Sequence, residues 1–153
     1  MDTRNHEDFS KYHIPKSIFI GLNGRFAPWV GEILKNINTP IIIVCYEGME
    51  KEAIVRLARI GFDNCLGYIN FDNEDHVYAY SKPNSLKCIK ANDFIKSEDN
   101  YNIIDVRTEN EFNNGSFKNA NNTPLNKIKD QLEQVSDKSY VFCAGGYRSV
   151  IAC

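Results

Sequence analysis

Tyr140-Val-Phe-Cys-Ala-Gly-Gly-Tyr-Arg-Ser149 begins as an apolar, strand-like run, stops at Cys143 and gives way to two glycines, an arginine and a serine. Glycines after a strand let consecutive backbone N–H groups turn toward one point, and a helix started by Ser149 to Ala152 would turn its positive end the same way. Cys143 stands at that point. Its thiol is expected below the free value of about 8.5, because hydrogen bonds and the nearby Arg148 favour the thiolate.

The strand that delivers Cys143, Ser139 to Phe142, follows a stripe of Leu125, Ile128, Leu132 and Val135 that predicts an amphipathic helix. Further upstream, Leu86-Lys-Cys-Ile89 and Tyr101-Asn-Ile-Ile-Asp105 read as strands, with a short helix around Asn92 to Lys96 between them. Asn70 to Asn84 has no periodicity and reads as a linker. Before it, Ile18-Phe-Ile20 reads as a strand, and Phe26, Trp29, Val30, Ile33, Leu34 and Ile37 mark a helix with Pro28 in its first turn. Pro40 then introduces Ile41-Ile-Ile-Val-Cys45, apolar throughout, as expected of a strand covered on both faces. Ala53, Ile54, Leu57, Ala58 and Ile60 give a helix stripe that ends at Gly61, and Cys65-Leu-Gly-Tyr-Ile69 is another short strand. Alternating strands and helices predict an α/β fold with a mostly parallel sheet.

The chain also repeats itself. Asp2, Arg4 and Phe9 return 103 positions later as Asp105, Arg107 and Phe112, and Cys45-Tyr-Glu-Gly48-Met-Glu50 matches Cys143-Ala-Gly-Gly146-Tyr-Arg148 at an offset of 98. Two related units are expected, residues 1–82 and 83–153. Unit one has only Met1 before its Asp-x-Arg and unit two only ten residues after its cysteine, so each lacks an element the other keeps. A longer tandem protein is the expectation, and a dimer that exchanges segments is one way to complete both units.

Composition narrows the function. The 153 residues are 42% hydrophobic and 25% charged with a net charge of −2, a globular balance without the basic patch that nucleic acid requires. No run is long and apolar enough to span a bilayer, and the polar N-terminus carries no secretory signal, which points to a cytoplasmic protein. The five cysteines, Cys45, Cys65, Cys88, Cys143 and Cys153, are odd in number and include no C-x-x-C pair, so neither a disulfide framework nor a zinc site is indicated. His6, His13 and His76 lack ligand spacing, and no cofactor is expected.

Asp105-Val-Arg107, Glu111-Phe112, Gly115, Ala120, Pro124-Leu125 and Cys143-x-x-Gly146-x-Arg148-Ser149 resemble the signature of rhodanese-type sulfurtransferase domains. Unit one is similar through Asp2-x-Arg4, Phe9, His13-Ile-Pro15-x-Ser17 and Arg56-Leu-Ala-Arg-Ile-Gly-Phe62. Its Ile20-Gly-Leu-Asn-Gly-Arg-Phe-Ala-Pro-Trp29 stretch most resembles the rhodanese-like segments that follow a metallo-β-lactamase-fold persulfide dioxygenase in some bacterial sulfide-detoxifying fusions. The resemblance implies three-layer domains with helices on both faces of a mostly parallel sheet. It also implies small sulfur donors and acceptors as partners, and a dioxygenase domain in the parent protein.

On that resemblance Cys143 is the nucleophile, and Ala144, Gly145, Gly146, Tyr147, Arg148 and Ser149 cradle the persulfide it forms. Asp105, Arg107 and Glu111 support them, with Arg107 expected to pair with Glu111 and Asp105 to order the strand end. Ser116-Phe117 stands where the family usually has His-Ile, a change expected to touch no chemistry. Glu50 replaces the loop arginine in unit one; a carboxylate beside Cys45 would raise its thiol and repel an anionic donor, so unit one is expected to be inactive. Cys45, Cys65 and Cys88 are expected in the core and Cys153 as a buried helix residue. Two other readings remain. Phosphatases of related fold place five residues between cysteine and arginine, against four here, Ala144 to Tyr147, and a non-catalytic interaction or regulatory module would need no reactive thiol at all.

Overall fold

The computed structural model describes residues 1–71, 82–95, 102–134 and 139–153. The chain divides into two compact units, Met1–Leu86 and Lys87–Cys153, each built of helices and parallel strands.

Unit one contains α1 (His6–Lys11), α2 (Phe26–Leu34), β1 (Ile41–Cys45), α3 (Glu50–Ala58) and β2 (Cys65–Asn70). The Asn5 side chain accepts from the Asp8 N–H and so caps α1, which supplies a partner for one of the first-turn N–H groups that a helix leaves unpaired. β1 and β2 pair in parallel, and isolated bridges place Asp2 between Phe19 and Val44. The order across the sheet is therefore Phe19, Asp2, β1, β2. Phe9, Phe19, Ile20, Phe26, Val30, Ile43, Val44, Ala53 and Leu57 close the core against it. Ile18 to Ile20 contributes this single bridge rather than a full strand, and Ile42 is half exposed, so β1 is not covered throughout as its sequence suggested. The α2 stripe stops at Leu34, where Lys35 turns left-handed, and leaves Ile37 outside the helix and exposed.

Unit two contains α4 (Ala91–Ile95), β3 (Asn102–Asp105), α5 (Glu109–Asn113), β4 (Ala120–Asn122), a 3₁₀ helix (Leu125–Gln134), β5 (Ser139–Phe142) and α6 (Tyr147–Ala152). Its sheet is parallel in the order β4, β3, β5. The segment read as a strand at Leu86 to Ile89 is not one. Lys87 to Ile89 are exposed and take no part in a ladder, and the lysine in the run suits a solvated segment better than a sheet. The amphipathic stretch after Pro124 is a 3₁₀ helix with a break at Gln131 (φ −124°, ψ 16°) rather than an α-helix. Leu125 and Ile128, three residues apart, fall on one face of a 3₁₀ turn and are both buried. Val135, Lys96, Tyr101 and His76 lie outside the described residues, as does the side chain of Leu132.

The repeat extends to individual hydrogen bonds. Thr3 N–H donates to Val44 O (2.8 Å), Ile20 N–H to Asp2 O (2.9 Å) and Leu22 N–H to Thr3 O (3.0 Å). In unit two Val106 donates to Phe142 O (3.1 Å), Thr123 to Asp105 O (2.9 Å) and Leu125 to Val106 O (3.1 Å), the same bonds at the same offsets.

Candidate active site

Cys143 follows the last residue of β5, and a bend over Ala144 to Gly146 leads directly into α6. Gly146 has φ +86°, a backbone angle that costs a side-chain-bearing residue strain, and this turn brings the start of α6 back over the sulfur. The Ser149 N–H lies 3.4 Å from Cys143 Sγ, and the thiol in turn donates to Ser149 Oγ at 3.6 Å. Ser149 Oγ donates to Gly146 O (2.8 Å), so the hydroxyl is held in place. Burial pushes the Cys143 thiol up, but hydrogen bonds with the backbone and side chain of Ser149 and with the N–H groups of Gly145 and Gly146 outweigh it, and its pKa is lowered overall. Ala144 and Gly145 are exposed, and Tyr147 is half-buried.

Arg148 is not aimed first at the sulfur. Its Nη1 and Nη2 each lie 2.7 Å from an oxygen of Glu111 in a two-pronged pair, and the Cys143 sulfur is a lesser partner. Glu111 is itself fixed by a reciprocal cap: the Thr108 N–H (3.1 Å) and hydroxyl (2.9 Å) donate to Glu111 Oε2, and the Thr108 hydroxyl accepts from the Glu111 N–H. Arg148 holds the Glu111 carboxyl down to about 2. The expected Arg107–Glu111 pair is therefore replaced by two others. Arg107 instead forks onto Asp105, with Nε 3.0 Å from Oδ1 and Nη2 2.7 Å from Oδ2, and donates on to Gly115 O (2.7 Å). Asp105, fully buried at the end of β3, also accepts from the Ser116 hydroxyl (2.9 Å). Burial raises its carboxyl, but these donors bring it below its ordinary value. Ser116, expected to affect packing alone, thus joins the polar network around Asp105. Asn122 joins as well, donating from Nδ2 to the carbonyls of Asp105 (2.9 Å) and Arg107 (3.0 Å).

Unit one carries the same frame with a different filling. Arg4 forks onto Asp2 and donates to Tyr12 O (2.8 Å), and Gly48 repeats the left-handed turn at φ +80°. Cys45, however, is fully buried, and Tyr46 folds back so that its hydroxyl donates to Asp8 Oδ2 (2.6 Å) and accepts from the Asn5 N–H (3.2 Å). Asp8 stands at the position of Glu111 in the repeat, so the carboxylate that takes an arginine in unit two takes a phenol in unit one. Burial and that bond push the Tyr46 hydroxyl up to about 12, and the same bond, with help from Lys11, lowers Asp8. Tyr46 and Asp8 escaped sequence reading; the 103-residue offset that relates Asp2 to Asp105 would have paired Asp8 with Glu111.

The remaining cysteines differ from expectation in part. Cys45 is buried, Cys65 is half-buried, and Cys88 and Cys153 are exposed rather than core. Among the described residues no cluster of three or more His, Cys, Asp or Glu side chains could hold a metal ion, and no helix is long and apolar enough to cross a membrane.

A parallel α/β frame occurring twice, with a cysteine loop after the same strand in each copy, defines a tandem α/β-domain protein. The rhodanese-like domain profile matches residues 1–82 and again residues 90–152, and the chain belongs to that family. Among solved structures it is similar to the thiosulfate sulfurtransferase from Pseudomonas aeruginosa, with 16% identity and a TM-score of 0.41. That likeness covers 99% of this chain and 36% of the other, so the chain spans little more than a third of that protein's length. No curated protein matches it.

Proposed function

We propose that the chain is a sulfurtransferase in which Cys143 carries a sulfane sulfur between a small donor and a small acceptor. Its main support is the Cys143 sulfur, held below its ordinary pKa by the N–H groups of Gly145, Gly146 and Ser149 at the end of a parallel strand. The thiolate attacks the outer sulfur of thiosulfate or of an organic persulfide. A bond from Cys143 Sγ to that sulfur forms as the donor bond breaks, and sulfite or a thiolate leaves with the electron pair. A cyanide, thiol or sulfite acceptor then attacks the outer sulfur of the Cys143 persulfide and returns the thiolate. The loop N–H groups favour the thiolate over the thiol, which lessens the need for a separate base, and they stabilise each anionic sulfur species in turn.

Ala144, Gly145, Gly146, Tyr147, Arg148 and Ser149 form the cradle, and Asp105, Arg107 and Glu111 its support. Unit one is the non-catalytic partner, an interaction or regulatory module, because Cys45 is sealed in the core. The four-residue spacing to Arg148 favours a single sulfur over a tetrahedral phosphate. A cytoplasmic place in sulfide and persulfide detoxification, alongside a metallo-β-lactamase-fold dioxygenase domain, fits the Ile20 to Trp29 stretch.

The test is sulfur transfer from thiosulfate or a persulfide to cyanide, with intact-mass detection of one added sulfur. Wild type gains the sulfur and Cys143→Ser does not, while Cys45→Ser still does. Phosphatase activity without sulfur loading would reverse the reading in favour of phosphoryl chemistry. A Cys143 that accepts sulfur from no donor would leave only the binding module.

A further inference from the structure

Both guanidinium groups that the structure brings to the Cys143 loop are already matched by carboxylates. Arg148 is held two-pronged by Glu111 at 2.7 Å, and Arg107, which lies over the Phe142 ring at 5.4 Å, is forked onto Asp105. Two positive charges against two carboxylates and a thiolate leave the loop with one formal negative charge. Among the described residues its attraction for anions then rests chiefly on neutral N–H groups, with the sulfur only a lesser partner of Arg148. Glu111 cannot easily turn away, because the Thr108 N–H and hydroxyl grip the same carboxylate from the other side.

We infer that Glu111 is a positioning residue that cancels the charge of Arg148, so that the loop takes sulfur from persulfides carrying at most one negative charge in preference to dianions such as thiosulfate. This rests on the sulfur-transfer reading above. The reaction is balanced without an outside oxidant: Cys143 thiolate attacks the outer sulfur of R–S–SH, the new S–S bond forms as the donor S–S bond breaks, and RS⁻ leaves with the electron pair. The proton stays on the transferred sulfur or passes to water. A dianion approaching the same thiolate brings one more negative charge than a singly charged donor. Repulsion of that extra charge at about 5 Å, at an effective dielectric between surface protein and water, slows a reaction from a few-fold to a few hundredfold or so.

The test compares wild type with Glu111→Gln on two pairs of probes, followed at Cys143 by peptide mass. Iodoacetamide and iodoacetate differ by one charge and read the electrostatics without reference to sulfur chemistry. 2-Mercaptoethanol persulfide and thiosulfate read donor choice. Wild type should favour the less charged probe of each pair. Glu111→Gln, by freeing the charge of Arg148, should raise kcat/KM for thiosulfate about tenfold, chiefly through KM, and the iodoacetate rate by a similar factor. Any change common to both members of a pair reports the support that Glu111 gives the loop, while the ratios of thiosulfate to persulfide and of iodoacetate to iodoacetamide should each rise about tenfold. Equal changes for both members of each pair would show a structural role only and overturn the inference. If Glu111→Gln does not fold, the wild type carries the test: added KCl should lower KM for thiosulfate by screening repulsion, whereas a rise would mean that Arg148 attracts the dianion and would overturn it. Alkylation of Cys143 by iodoacetamide with no sulfur accepted from either donor would sink the sulfur-transfer reading and this inference with it. Loading by both donors at a ratio unchanged in Glu111→Gln would sink this inference alone.

Discussion

The two units share a backbone frame and differ in what fills it. In both, an Asp-x-Arg fork on a central line of the sheet, an isolated bridge in unit one and the end of β3 in unit two, ties down the carbonyl eight residues beyond the arginine, and a left-handed glycine three residues past the cysteine turns the chain into a helix. One carboxylate on the helix between them then has a free choice of partner. In unit two that carboxylate, Glu111, holds the loop arginine; in unit one its counterpart Asp8 holds the Tyr46 phenol, with Cys45 buried. The frame places a carboxylate beside the loop in both units, and the loop residue that takes it differs, an arginine in unit two and a phenol in unit one.

The largest expected effect tests the shared frame. Arg4 and Asp2 are both fully buried, with Arg4 also 3.8 Å from the Phe71 ring, whereas the Arg107 side chain keeps 16% of its surface exposed. Arg4→Ala strands a buried carboxylate and should cost unit one about 3–5 kcal/mol. Arg107→Ala should cost unit two about 1–3 kcal/mol, since Asp105 keeps the Ser116 hydroxyl and solvent can reach the gap. Trp29, the single tryptophan, reports urea unfolding of unit one, and amide exchange at Ile103 and Ile104 reports unit two. Equal losses would mean that burial does not separate the two forks.

Next in size is Tyr46→Phe, which removes the hydroxyl that donates to Asp8 at 2.6 Å and accepts from Asn5. Asp8 keeps Asn5 and Lys11, so unit one should lose about 1 kcal/mol by Trp29 fluorescence. The variant should also lose the alkaline absorbance step of a phenol ionising at about 12. An unchanged alkaline titration would show that Tyr46 is not the phenol tied to Asp8.

The repeat, the parallel α/β class and the cysteine loop were legible because each leaves a pattern that survives without neighbours: an offset, an alternation, a C-x-x-G-x-R-S run. The pairings were not. Asp105, Arg107 and Glu111 lie within seven residues of one another, and spacing alone allows Arg107 to reach either acid. The choice is made by Arg148, some forty residues on, which claims Glu111 and leaves Arg107 to Asp105. Burial was equally hidden at Cys88. Its place in the run Leu86-Lys-Cys-Ile89 suggested a strand, yet among the described residues none pairs with it in a sheet, and it is exposed.

A smaller effect concerns acid. The Glu111 carboxyl is lowered from 4.5 to about 2 in the folded protein, so its contribution to stability is complete above its unfolded value and is lost as pH falls from about 4.5 toward about 2. The pair is partly exposed to solvent, so the loss is held to less than about 1 kcal/mol, and salt should shrink it further. Acid titration of unit-two amide exchange should show this step in wild type and lack it in Glu111→Gln. A step of equal size in both would assign it to Asp105, whose carboxyl is also lowered.

The smallest expected effect is the most instructive. Glu50 occupies in unit one the place that Arg148 holds in unit two, and its charge would be a simple reason for the inertness proposed for Cys45. The geometry supplies another. Cys45 is fully buried with its sulfur 3.7 Å from Asn70 Oδ1, and Tyr46 already occupies the carboxylate that a loop arginine would need. If charge were the cause, Glu50→Arg would make Cys45 react with iodoacetamide; if burial is the cause, it changes nothing. We expect no gain in Cys45 alkylation for Glu50→Arg, and none for Glu50→Arg with Tyr46→Phe, because neither opens a path to the sulfur. A thiol that became reactive on Glu50→Arg alone would show that one charge separates the two units, and the difference in filling would then be a consequence of the silence rather than its source.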